Sequence, residues 1–120
     1  MDLEIIARGE VDDVLRQFPA EIRREAIGIP VAFDGRPSAE LKERTVDVDT
    51  LGLLVGGNRN EEAEGLISMS VQIFLFLENL WDESEGNLLV FKNEIRVTYL
   101  HELGHYLGLE EEDLEFRGLA

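Results

Sequence analysis

From Asn87 to Leu107 the chain runs twenty-one residues with no proline and one glycine, Gly104, and such a stretch has little alternative to a single long helix. Asn87 is a good N-cap, because its short side chain can take a backbone N–H of the first turn, and Gly108 provides the stop. Leu89, Leu100, Leu103 and Leu107 share one face, while Phe91, Ile95, Tyr99 and Tyr106 cover much of another. A helix that is apolar nearly all round needs partners on every side, so it is expected at the centre of the fold.

Its surroundings follow from hydrophobic period. Leu3, Ile6, Ala7, Val11, Val14 and Leu15 recur at three- and four-residue steps, which predicts a first helix with Gly9 as its weak point. Pro19 suits the first turn of a second helix, Ala20 to Ile27, ended by Gly28. Ile29 to Phe33 is apolar and partly β-branched and predicts a strand, with Pro30 favouring an edge or a strand start. In the polar stretch 36–49, Ser38 to Leu41 offers at most a helical turn, and Val46-Asp47-Val48 alternates like a short strand. Leu51 to Val55 predicts another strand, followed by the breaker cluster Gly56-Gly57-Asn58-Arg59-Asn60 and an acidic loop, 61–65. The most β-prone segment is Leu66 to Leu77, where Val71 to Leu77 is apolar almost throughout and is expected as the best-packed strand. Beyond the long helix, Leu114 and Phe116 are spaced for one more short helix in an acidic tail. With 120 residues and neither repeat nor linker, one domain spanning 1–120 is expected.

Charge and composition exclude several roles. Twenty-six acidic side chains against eleven basic ones give a net charge of -15, a field that repels nucleic-acid phosphates and anionic membrane surfaces, so neither is an expected partner. There is no cysteine, which removes disulfides, thiolate ligands and a cysteine nucleophile. Met1-Asp2-Leu3-Glu4 lacks the basic and apolar regions of a secretory signal, and no apolar run approaches the roughly 20 residues that span a bilayer, so a cytoplasmic protein is expected.

The only two histidines, His101 and His105, enclose Glu102-Leu103-Gly104 on the predicted long helix, giving His-Glu-Leu-Gly-His. Residues four apart lie about 40° around a helix and roughly 6 Å along it, so two imidazoles can converge on one metal ion from a single face. Glu102 lies about 100° on from His101, off the ligand face yet able to reach a water held by that ion. This HExxH spacing separates ligands from base. A catalytic zinc site needs a third protein ligand and an open position. Fifteen residues follow His105, so that ligand has to be near at hand or come from upstream, as Glu94 could. Gly108 can take the left-handed conformation that turns the chain sharply, letting Glu111 swing back toward the histidines, with Glu112 and Asp113 as alternatives in the same register. No methionine follows the motif, so the Met-turn of metzincins is missing.

The run His101-Glu102-Leu103-Gly104-His105-Tyr106-Leu107-Gly108-Leu109-Glu110-Glu111 resembles the HExxHxxGxx(D/E) signature of the minimal zincin-like metallopeptidases, a family of small bacterial proteins. The upstream order is similar too: two helices, Leu51-Gly52-Leu53-Leu54 with Gly56, and a strand around Ile73-Phe74-Leu75-Phe76. The likeness covers nearly the whole chain, although residues 53–55 lack the tyrosine that goes with the family pattern. It implies an α+β zincin-like fold, with a small mixed sheet, two N-terminal helices and a long central HExxH helix. It also implies one zinc ion held by His101, His105 and an acidic residue matching Glu111, with Glu102 as base.

The chemistry expected of that set is metal-assisted hydrolysis of a peptide or protein substrate, with Glu102 accepting the proton of an activated water and passing it to the leaving amine. Tyr106, Asn58 and Arg59 are candidates for stabilising the oxyanion. The strand Val71 to Leu77, taken as a sheet edge beside the helix, could pair with an extended peptide. Residues 61–120 hold fourteen acidic and three basic side chains, which favours neutral or basic peptides. Two other classes use the same residues differently. One is a non-catalytic metal-binding module, in which a fourth protein ligand closes the open position; the other is an acidic interaction protein that binds no metal.

Overall fold

The computed structural model describes residues 1–39, 42, 46–56 and 71–108. Among them, four helices and three strands follow in the order α1 (Leu3–Gln17), α2 (Ala20–Ile27), β1 (Val31–Asp34), β2 (Gly52–Val55), β3 (Gln72–Phe76), α3 (Leu77–Glu83) and α4 (Leu88–Leu107). This is the expected α+β arrangement, with two N-terminal helices, a small mixed sheet and a long helix.

Asp2 caps α1, its carboxylate accepting from the N–H groups of Glu4 and Ile5 at 3.0 and 3.2 Å. Ala7, Val11 and Val14 fall on one helical face and are buried. Pro19 disfavours a helical residue before it, so α1 stops at Gln17, and Pro19 itself stands at the N-cap of α2 rather than in its first turn. Arg23 of α2 reaches back to donate to the carbonyls of Leu15, Arg16 and Phe18 at 3.1, 3.1 and 2.8 Å, satisfying backbone groups that the end of α1 leaves open.

β3 is the middle strand. It runs parallel to β1, with Val31 opposite Ile73, and antiparallel to β2, with Leu53 opposite Phe74. The expectation that Val71 to Leu77 offers a sheet edge is therefore overturned: its strand is paired on both sides, and the edges among the described residues are β1 and β2. The physical reason is that an apolar run reports the burial of its side chains and carries no information on which strands its backbone pairs with. Ile73, Leu75 and Phe76 are fully buried. Pro30 precedes an edge strand, as its missing N–H requires, and its carbonyl accepts from Ile73 at 3.0 Å.

Two further expectations change. The chain turns directly from β3 into α3 at Leu77, so the stretch through Trp81 is helical; a seven-residue helix with no side-chain cap leaves little mark on the sequence. Val46 to Val48 is not a strand. The carbonyls of Val48 and Thr50 instead accept from the Asn79 amide at 2.8 and 2.9 Å, which ties this segment to α3. Arg36 completes the clasp, donating to Asn79 Oδ1 at 2.5 Å and pairing with Asp82 at 2.9 Å. The turn expected near Ser38 is marked by the Lys42 N–H donating to the Ser38 carbonyl at 3.0 Å. The loop 61–65, residues 66–70 and the tail helix lie outside the described residues.

α4 begins and ends as expected. Asn87 accepts from the Val90 N–H at 3.1 Å, and Gly108, at φ 72°, closes the other end with its N–H on the His105 carbonyl at 3.2 Å. The helix packs on α1, α3, β2 and β3, burying Phe91, Ile95, Tyr99, Leu103, Tyr106 and Leu107. Arg96 fastens it to α1 through Asp13 at 2.7 Å and Glu10 at 3.5 Å. Burial all round fails: in the first turn, which stands clear of the neighbouring elements, Leu89 is 77% exposed and Leu88 and Val90 are exposed with it, and Val97 is exposed further along the helix. No described helix is long and apolar enough to cross a membrane.

Candidate functional site

His101 and His105 are exposed one turn apart on α4, with ring centroids 4.4 Å apart and planes inclined by 54°. Both rings can offer a nitrogen to one ion, and nitrogen donors in a tetrahedral arrangement are what zinc takes, so the pair fits two corners of such a site. Among the described residues no group of three His, Asp or Glu side chains stands together. Glu94 is two turns before His101, roughly 10 Å along the axis. Glu111, Glu112 and Asp113 lie outside the described residues, as do Asn58 and Arg59. The left-handed turn expected ahead of Glu111 is present at Gly108.

Glu102 faces a different neighbour from the histidines. It is only 9% exposed, and Thr98, one turn earlier on the same side of α4, is 8% exposed. Both lie against Gly52 of β2: a Cβ built on Gly52 would stand 3.4 Å from Glu102 Cγ and 2.5 Å from Thr98 Cγ2. The acid therefore leaves the helix at the seam between α4 and β2, about 100° round from His101.

The backbone of β2 completes the seam. The Leu51 carbonyl accepts from the Phe76 N–H at 3.0 Å. Antiparallel pairing alternates, so Leu51, Leu53 and Val55 direct their backbone groups to β3 while Gly52 and Leu54 direct theirs away from it. The outward backbone edge beside Glu102 thus belongs to β2. Sequence reasoning assigned Gly52 no role, although a signal was available: an isolated glycine in an apolar strand often marks a close approach of another element.

Other side chains of α4 serve the core. Tyr106, a candidate oxyanion donor from the sequence, is buried among core residues. Tyr99 points about 200° away from His101, and burial first, then the nearby Asp12 carboxylate, pushes its phenol pKa up to about 12.

A family model described as zincin-like metallopeptidase matches residues 26–119, from the end of α2 through the whole of α4. No curated protein matches the chain.

Proposed function

The chain belongs to the zincin-like metallopeptidase family, and from that premise we propose that it hydrolyses peptide bonds using one zinc ion held by His101, His105 and Glu111, with Glu102 as general base. The observation behind this reading is the exposed imidazole pair with Glu102 set beside it at the seam of α4 and β2. Zinc held there would supply Lewis acidity, polarising a carbonyl and lowering the pKa of a water far below its ordinary value.

The chain's own groups do the rest. The histidines share one rigid helix, so their separation does not depend on loop conformation. Glu102, whose stem lies against Gly52, accepts a proton from the attacking water and delivers it to the leaving amine. The outward N–H and C=O groups of Gly52 and Leu54 suit an extended peptide that adds to β2, which brings its backbone past Glu102.

The test combines metal content with turnover. Glu102→Gln keeps the side chain's size, so it is expected to hold zinc one to one while hydrolysis falls by about a hundredfold to ten-thousandfold. His105→Ala should lose the zinc itself. Undiminished turnover in Glu102→Gln would reject the base assignment, and zinc retained without either histidine would reject the site.

A further inference from the structure

We propose that Gly52 is a positioning residue for Glu102, an inference that rests on the peptidase reading above: the missing side chain in β2 lets the turn of α4 between Thr98 and Glu102 seat directly against the strand. A Cβ at position 52 would lie 2.5 Å from Thr98 Cγ2, 3.3 Å from the Phe74 carbonyl oxygen and 3.4 Å from Glu102 Cγ. The first of these is closer than real carbon atoms approach. Thr98 is buried on the packed face of the helix, so its methyl group has no open space to turn into. The Phe74 oxygen cannot yield either, since it belongs to the backbone of the central strand.

Gly52 itself stands opposite Leu75, a fully buried residue of that strand, so β2 cannot retreat without opening the ladder. The remaining way to make room is to move α4 outward at Thr98. Glu102 is the next residue along that face, and His101 follows the other side of the same turn. An outward step at Thr98 therefore shifts the base relative to a peptide lying on β2, while both histidines, carried on one helix, keep their mutual geometry. Misplacements of about 1 Å at a reacting group cost rates on the order of a hundredfold.

The experiment compares Gly52→Ala with the double variant Gly52→Ala/Thr98→Ser, which removes the very methyl group that the new Cβ meets. Gly52→Ala should retain one zinc per chain and a KM within about threefold of the original, lose about tenfold to a hundredfold in kcat, and melt about 5 to 15 °C lower. In the double variant kcat should return to within about fivefold and most of the lost Tm should be regained. A Gly52→Ala protein with unchanged kcat and Tm would overturn the inference, and so would a double variant no better than the single one. If Gly52→Ala does not fold, a folded and active double variant supports the inference, and failure of both to fold overturns it. A wild type that binds no zinc or cleaves no peptide defeats the peptidase reading separately. The Tm comparison and the Glu102 carboxyl ¹³C resonance, shifted in the single variant and restored in the double, then still decide the position of Glu102.

Discussion

Tyr99 illustrates how a single side chain takes its properties from what packs around it. Its phenol is almost wholly buried, and burial and the Asp12 charge raise its pKa from 10.0 to about 12. Between those values the unfolded chain has released a proton that the folded one still holds. The contribution to stability is therefore complete below pH 10 and declines as pH rises through the window, by about 2 to 3 kcal/mol once both states have titrated. Tyr99→Phe should flatten this decline in denaturant midpoints measured from about pH 9 to 12, and an unaltered slope would assign it to another group. Asn79 is a second such case, since its amide satisfies two backbone carbonyls while its oxygen accepts from Arg36. Asn79→Ala removes the donor from the Val48 and Thr50 carbonyls, while Arg36 keeps Asp82, and is expected to cost about 1 to 3 kcal/mol, read from urea unfolding.

At the scale of elements, the ends of α4 matter as much as its middle. Gly108 adopts a left-handed conformation that an L side chain enters at a cost of about 1 kcal/mol, so Gly108→Ala should lower the Tm by about 3 to 6 °C. In the proposed zinc site this turn lies three residues ahead of the ligand Glu111. If the proposed zinc site holds, zinc affinity is expected to weaken in this variant, and a titration showing no change would separate the cap from that site. The strands show the complementary dependence. β2 is as short as β1 and only half-buried, yet its place next to α4 puts its backbone, and not that of the better-packed β3, beside Glu102.

For the molecule as a whole, electrostatics and long-range ties are decisive. Arg96 joins α4 to Asp13 of α1, 83 residues away in sequence, and so holds the helix that carries His101 and His105 to the N-terminal layer. The net charge of -15 surrounds the site with a negative field. Basic peptides should accordingly show a kcat/KM that falls as salt is raised from about 0.02 to 0.5 M, and acidic peptides one that rises, because the Debye length shrinks from about 20 Å to a few Å. Parallel salt profiles for the two substrate types would rule out steering by net charge.

The long helix, both of its caps and the histidine spacing are legible in residue order alone. These are local: a turn of 3.6 residues, an Asn whose side chain meets the next turn, and a glycine free to go left-handed all act within a few residues of one another. Residue order also placed the three strands to within a residue or two, because apolar runs between breakers register locally. Strand order was another matter. An apolar run reports that a segment is covered but does not name its neighbours, and pairing depends on contacts between residues such as Val31 and Ile73 that lie far apart in the chain. That β3 is central, that Leu89 stays in solvent and that Glu102 meets a glycine of the edge strand came from packing alone, since each depends on which surfaces the packed elements leave open.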